Sequence, residues 1–102
     1  MLRKAANRAD VVEDRVLGVE IEGRKVALYL VDGAVFATDD ECPHVGCLLS
    51  EEGVVDGAEV ECSCHGSRFV IATGETTMAP ATTPLPVYAA EARGADVLVD
   101  IE

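Results

Sequence analysis

Two short segments of the chain each place one cysteine near one histidine. The first reads Cys42-x-His44 and the second reads Cys62-x-x-His65, with seventeen residues between His44 and Cys62. Thiolates and imidazoles are ligands for soft and borderline metals, so four such groups can hold a metal ion or a metal cluster. The two segments therefore predict a metal centre built from two loops.

The strings around these residues, CPHVGC and CSCHGS, resemble the two cluster-binding loops of Rieske proteins. Gly46, Cys47, Gly66 and Ser67 also fit the loops of that family. In Rieske proteins the loops bind one 2Fe-2S cluster, with both cysteines on one iron and both histidines on the other. The cluster ligands that the resemblance implies are Cys42, His44, Cys62 and His65.

Charge explains why this mixed ligand set suits electron transfer. Two ferric ions, two sulfides, two thiolates and two neutral imidazoles sum to zero, whereas an all-thiolate cluster carries two more negative charges. Adding an electron is therefore easier. Rieske potentials lie at about −150 to +300 mV, against about −400 mV for plant-type ferredoxins.

Zinc is the alternative metal, because two cysteines and two histidines are also a common structural zinc set. Zinc sites usually take a like pair, C-x-x-C or H-x-x-x-H, from one turn, whereas both pairs here are mixed. The spacing therefore favours the iron-sulfur cluster over zinc. Colour separates the two, since a zinc protein is colourless and a Rieske protein is red-brown.

Two further cysteines, Cys47 and Cys64, fall where quinol-oxidising Rieske proteins have a disulfide between the cluster loops. Many soluble Rieske ferredoxins lack that bond. In the chain-entropy model, closing a loop of this length contributes about 3 kcal/mol. Although a reducing cytoplasm opposes it, the resemblance predicts a Cys47–Cys64 disulfide that is poorly accessible to reductants between the two loops.

Three more positions are assigned to the surroundings of the cluster by the same resemblance. Ser67 matches a serine that donates to a cluster sulfur in high-potential Rieske proteins, and Phe69 stands where those proteins have a donating tyrosine. Pro80 lies in the stretch that matches a proline-containing loop covering the cluster. With one donor kept and one missing, we predict an intermediate or low potential.

Short apolar runs and turn dipeptides predict an all-β chain of one domain, residues 1–102. Asp32-Gly33, Asp56-Gly57 and Arg93-Gly94 favour tight hairpins. The resemblance implies the Rieske fold, an antiparallel sheet base with a cluster-binding subdomain inserted at about residues 40–82. The first segment, Leu2 to Ala9, fits either a helical turn or a frayed end. The predicted strands are Val16 to Ile21, Lys25 to Val31, Ala34 to Thr38, Ala58 to Glu61, Arg68 to Ala72, Leu85 to Ala92 and Asp96 to Ile101.

A net charge of −11 makes nucleic acid and anionic membranes improbable partners. No apolar stretch reaches the roughly 20 residues of a membrane span, and the N-terminus has no signal-peptide core. We expect a soluble, cytoplasmic monomer. Acids flank the first loop, where they serve either solubility or docking to a basic partner: Asp39, Asp40, Glu41, Glu51 and Glu52.

Three classes of function remain open at this point. The resemblance extends over nearly the whole chain to ferredoxins of aromatic ring-hydroxylating dioxygenase systems, which carry electrons from an NAD(P)H-dependent ferredoxin reductase to a terminal oxygenase. The second class is a Rieske subunit of a quinol- or arsenite-oxidising complex. The third is a zinc-stabilised module with no redox role. The chain offers no pattern for a nucleophile with its base, so we expect an electron carrier and not an enzyme.

Overall fold

The computed structural model describes residues 2–43, 46–64, 66–78 and 83–101. These residues form eleven strands, one short α-helix and one 3-10 turn at Arg8–Asp10, so the all-β prediction is confirmed. The bounds are β1 Leu2–Asn7, β2 Leu17–Ile21, β3 Arg24–Val31, β4 Ala34–Asp39, α1 Leu49–Glu52, β5 Gly53–Asp56, β6 Glu59–Cys62, β7 Ser67–Val70, β8 Thr76–Met78, β9 Val87–Tyr88, β10 Ala90–Arg93 and β11 Asp96–Asp100.

The strands pair into three antiparallel sheets. The first has the order β1-β11-β10, the second β2-β3-β4-β9 and the third β5-β6-β7-β8. The third sheet occupies residues 53–78, inside the 40–82 segment that the sequence assigns to cluster binding. The bounds of that subdomain stay a prediction.

Strand β3 is buried on both faces and separates two hydrophobic cores. Successive side chains of a strand point to opposite faces, so Val26 and Leu28 enter one core while Ala27 and Tyr29 enter the other. The first core is shared with the β1-β11-β10 sheet and the second with the third sheet. An apolar run without alternation, as in this strand, is what burial on both faces requires.

Two-residue turns close the hairpins near the places that the dipeptides predict. Asp32-Gly33 has left-handed φ values of 51° and 81°, as a type I′ turn requires, between the paired residues Val31 and Ala34. The other two hairpins turn at residues 57–58 and 94–95, one position beyond the predicted start, with glycine φ values of 61°.

The structure adds two strands that the sequence does not predict, β5 and β8, ends the run predicted from Arg68 to Ala72 at Val70, and changes two further predicted segments. Leu2–Asn7 is neither helical nor frayed but an edge strand paired with β11. The single run predicted from Leu85 to Ala92 is two strands, because β9 pairs with β4 in the second sheet whereas β10 pairs with β11 in the first. The apolar pattern predicts one strand because it continues through the point where the pairing partner changes.

Gly74 connects the end of strand β7 in the third sheet to the segment that contains Leu85 through backbone hydrogen bonds. Its φ is 79°, its N–H donates to the Val70 carbonyl, and its own carbonyl accepts the Leu85 N–H at 2.8 Å. A Cβ atom at this position would overlap the Leu85 carbonyl oxygen. Gly33 has a similar φ of 81°, yet nothing lies within 4 Å of where its Cβ would be.

We predict that Gly74→Ala destabilises the chain more than Gly33→Ala does. Both variants force an L-residue to a left-handed φ, at about 1–2 kcal/mol, and only Gly74→Ala adds a backbone collision, at about 1–3 kcal/mol more. Thermal unfolding followed by far-UV circular dichroism measures the difference, with about 4–8 °C expected per kcal/mol. Equal shifts for the two variants would contradict the collision.

Candidate metal centre

The first cysteine-histidine loop runs from residue 42 to 47 and is closed at its base. Glu41 and Leu48 form an isolated antiparallel bridge, and the Cys42 N–H donates to the Cys47 carbonyl at 2.8 Å. Within the loop, the Gly46 N–H donates to the Cys42 carbonyl at 2.8 Å, with a Gly46 φ of 76°. The left-handed glycine turns the chain back towards its starting cysteine.

The second loop runs from Cys62, the last residue of β6, to Gly66 and leads into β7 at Ser67, which pairs with Cys62. The Gly66 N–H donates to the Cys62 carbonyl at 2.8 Å, and the φ of Gly66 is 81°. Each loop therefore begins at a cysteine whose carbonyl is bonded by a left-handed glycine four residues later. The first and last residues of the strings CPHVG and CSCHG thus make the same backbone hydrogen bond.

The structure brings the two predicted cysteine ligands into one environment. Cys42 and Cys62 are the cysteines outside the disulfide, both are buried, and both belong to the second core. Of the other predicted site residues, His44, His65 and Pro80 lie outside the residues that the structure describes.

Two connections join the loops to each other. A disulfide links Cys47 in the first loop to Cys64 in the second, as the resemblance predicts. In addition, the Ser63 N–H and hydroxyl both donate to the Glu52 carbonyl, at 2.9 and 2.7 Å. Because Glu52 ends helix α1, which follows the first loop directly, this second connection ties the loops through the backbone.

A buried carboxylate holds the start of helix α1 at the base of the first loop. Asp40 is 4% exposed and accepts the Ser50 N–H at 2.7 Å and the Ser50 hydroxyl at 2.6 Å. Its carbonyl also accepts the Leu49 N–H at 2.6 Å. A Cβ on the neighbouring Gly18 would lie 2.7 Å from that of Ser50, so the glycine leaves room for this contact.

The position of Asp40 corrects the sequence interpretation of the acids around the first loop. Asp40 was expected among charges that serve solubility or docking, but its carboxylate is buried and bonded. Glu41, Glu51 and Glu52 are exposed as expected, and Asp39 is half-buried and accepts a hydrogen bond from Tyr88. No sequence pattern indicates the Asp40–Ser50 pair, since both residue types are ordinary in surface turns.

The residues predicted to surround the cluster are fully buried where the structure describes them. Ser67 pairs with Cys62 across β6 and β7, and Phe69 packs in the second core that contains Cys42 and Cys62. Tyr29 enters the same core. Burial raises the pKa of the Tyr29 phenol, whose hydroxyl shares a 2.8 Å hydrogen bond with the Thr38 hydroxyl.

A third segment of chain is anchored beside the two loops. Leu85 is buried in the second core, and its N–H is bonded to Gly74. The Pro86 carbonyl accepts the Asp39 N–H at 2.9 Å. These bonds fix the C-terminal end of the proline-containing stretch, whose residues 79–82 are outside the described part of the chain.

The donor set fits the cysteine side of an iron-sulfur cluster. Two buried thiols stand outside the disulfide, each at the head of a loop closed in the same way. Both loops are tied to each other and to the second core, and such surrounding contacts orient the ligands of a metal site.

Comparison with known proteins agrees with this geometry. Residues 2–89 match the Rieske 2Fe-2S domain family, and the chain belongs to that family. The cofactor is accordingly one Rieske 2Fe-2S cluster.

Three similar proteins extend the comparison. The chain is 37% identical over 98 residues to the ferredoxin component of a naphthalene 1,2-dioxygenase system from Pseudomonas putida, covering 96% of this chain and 93% of the relative. It is 43% identical over 97 residues to a biphenyl dioxygenase ferredoxin subunit from Pseudomonas sp. strain KKS102, covering 95% and 89%. A chain in a solved complex of reduced oxygenase and oxidised ferredoxin in carbazole 1,9a-dioxygenase superposes with a TM-score of 0.90 at 33% identity, covering 99% and 94%.

Among the residues that the structure describes, no helix has the length and apolar character that crossing a membrane demands.

We predict that Asp40→Ala destabilises the first loop by about 3 kcal/mol, because two hydrogen bonds to a buried carboxylate are lost and the Ser50 N–H is left unpaired. The loss of cluster absorbance in the presence of an iron chelator should then be faster than in the parent chain. Glu51→Ala, an exposed change on the same helix, is the matched control and should alter the free energy of unfolding by less than about 0.5 kcal/mol. If both variants lose the cluster at the parent rate, Asp40 does not position the loop.

Proposed function

We propose that this chain is the ferredoxin of an aromatic ring-hydroxylating dioxygenase system, carrying single electrons from an NAD(P)H-dependent reductase to a terminal oxygenase. The observation that carries the proposal is the pair of cysteine-headed loops, alike in closure and tied together over a shared core. Ferredoxin relatives aligned over more than nine-tenths of the chain support the same role. The chain transfers electrons and the oxygenation chemistry belongs to its partner.

In this proposal Cys42 and Cys62 provide the two thiolates, and His44 and His65 provide the two imidazoles. When bound, the cluster takes up one electron and releases it again. The chain contributes a dry, fixed environment. Burial keeps water from the thiolates of Cys42 and Cys62, and the backbone closure of each loop fixes the position of its first cysteine.

Ser67 and Phe69 are proposed to set the potential, and Pro80 to cover the site. A hydroxyl that donates to the cluster stabilises the more negative reduced state, so the buried Ser67 raises the potential. Phe69 has no hydroxyl to add to that effect. A single donor favours a potential between those of proteins with two donors and those with none.

The proposed partners are a ferredoxin reductase and a terminal oxygenase that present basic surfaces to the exposed Glu41, Glu51 and Glu52. We also propose that the carrier is a cytoplasmic monomer, because NAD(P)H is supplied in the cytoplasm and a shuttle must use small, transient interfaces. The aromatic substrate is chosen by the oxygenase, so different ring systems can share similar ferredoxins.

A quinol-type subunit is the second candidate, and the Cys47–Cys64 disulfide with Ser67 favours it. The naphthalene and biphenyl relatives favour the ferredoxin. The midpoint potential separates these candidates. A film voltammetry wave at pH 7 near about −150 mV fits a dioxygenase ferredoxin, whereas one near about +300 mV fits a quinol-type subunit.

The direct test is electron delivery. The cluster-loaded chain replaces the ferredoxin subunit in a biphenyl dioxygenase assay with NADH, reductase and terminal oxygenase, and the dihydrodiol product is measured. We expect product formation that depends on this chain and disappears with Cys62→Ser, which lacks a cluster thiolate. A low-potential chain that supports no product with several such oxygenases would overturn the proposal.

We predict that Ser67→Ala lowers the midpoint potential by about 60 mV, equivalent to about 1.4 kcal/mol for one electron and of the size of one charge-assisted hydrogen bond. Phe69→Tyr should raise it, if its new hydroxyl reaches a ligand thiolate. Ser63→Ala is the matched control, since its hydroxyl bonds the Glu52 carbonyl. A shift with Ser63→Ala equal to that with Ser67→Ala would show that the effect is not specific to Ser67.

A further inference from the structure

Three sulfur atoms lie close together at the junction of the two loops. The Sγ atoms of Cys47, Cys62 and Cys64 are all within 4.8 Å of one another. Cys62 is buried and lies outside the disulfide, whereas Cys47 and Cys64 are half-buried and joined by it. This set differs from the proposed cluster ligands, because it shares only Cys62 with them.

The spacing suits a zinc ion once the disulfide is reduced. With Zn–S bonds of about 2.3 Å in tetrahedral geometry, sulfur ligands lie about 3.8 Å apart. Reduction separates the bonded sulfurs towards that distance, while the third sulfur is already near. The loops have other anchors, namely Cys42 to Cys47, Gly66 to Cys62 and Ser63 to Glu52, so their positions do not depend on the disulfide alone.

We propose that reduction of the Cys47–Cys64 disulfide in the cluster-free chain creates a zinc site with the thiolates of Cys47, Cys62 and Cys64 and one water as ligands. A dithiol supplies two electrons and two protons to the S–S bond and is itself oxidised to a disulfide. Zinc then forms three Zn–S bonds and displaces three thiol protons to solvent. The half-exposed sides of Cys47 and Cys64 give access to the water.

This site has a consequence for loading the cluster, and that part rests on the proposed function. Cys62 cannot serve zinc and the iron-sulfur cluster together, so the two metal centres exclude each other. The disulfide removes two of the three zinc ligands and leaves Cys62 for iron. Its role is then to prevent zinc capture of a cluster ligand, in addition to joining the loops.

The test uses the full chain without cluster, reduced with dithiothreitol and then freed of it under nitrogen, beside the same chain with its disulfide intact. Zinc is titrated against a chromophoric chelator, and cobalt is used as a spectroscopic probe whose thiolate charge-transfer band grows with the number of sulfur ligands. We expect one zinc per reduced chain, at least about tenfold weaker binding by the oxidised chain, and a cobalt band of three thiolates.

Variants distinguish this site from its alternatives. Cys47→Ser and Cys64→Ser should each weaken zinc binding at least about tenfold, whereas Cys42→Ser should change it by less than about threefold. Loss with Cys42→Ser but not with Cys47→Ser would place zinc on the cluster ligands and overturn the proposal. Equal loss for all cysteine variants, with a coil-like circular dichroism spectrum, would overturn it as chelation by unfolded chain. Product formation with the cluster-loaded chain is unaffected by either result, so the proposed function is judged separately.

Discussion

The double burial of strand β3 is the constraint on which the site depends. One face of this strand supplies Val26 and Leu28 to the core below the β1-β11-β10 sheet, and the other supplies Ala27 and Tyr29 to the core that holds Cys42 and Cys62. A strand shared by two cores cannot shift by one residue without exchanging its faces between them. The register of β3 therefore positions the third sheet relative to the rest of the fold. The fully buried Tyr29 is one of the β3 side chains that pack in the core shared with that sheet.

The two loops of the site are held in place by bonds that do not involve a metal. Each loop closes on its own cysteine carbonyl through a left-handed glycine, and the loops are linked by the disulfide and by Ser63 to Glu52. Hydrogen bonds of this kind around a metal site orient its ligands. Loops that moved with redox state would slow an electron carrier, so the hydrogen-bonded closure and the function have the same physical requirement.

The sequence predicted the chemistry of the site better than its support. The cysteine-histidine spacing and the glycines of CPHVGC and CSCHGS lie within a few residues of one another. Such short motifs can be recognised directly in a sequence. The Asp40–Ser50 pair and the contact of Gly74 with Leu85 join residues ten or more apart, which no periodicity records. The division of Leu85 to Ala92 between two sheets could not be predicted for a similar reason. Hydrophobic patterning reports burial and not the identity of the neighbouring strand.

The distribution of surface charge also depends on tertiary contacts that the sequence does not reveal. On the third sheet, Arg68 binds the carboxylates of Asp56, Glu59 and Glu61 at 2.7, 2.9 and 3.0 Å, so that face carries less negative charge than its composition suggests. The Asp40 carboxylate is buried and accepts a hydrogen bond from the Ser50 hydroxyl. The exposed acids that remain near the first loop are Glu41, Glu51 and Glu52. Since a screened field acts over only about 10 Å, attraction of a basic partner depends on these nearby charges and not on the net charge of −11. One guanidinium offsets only one of the three carboxylate charges on the sheet face, so the loop acids add to a negative field that this face keeps in part.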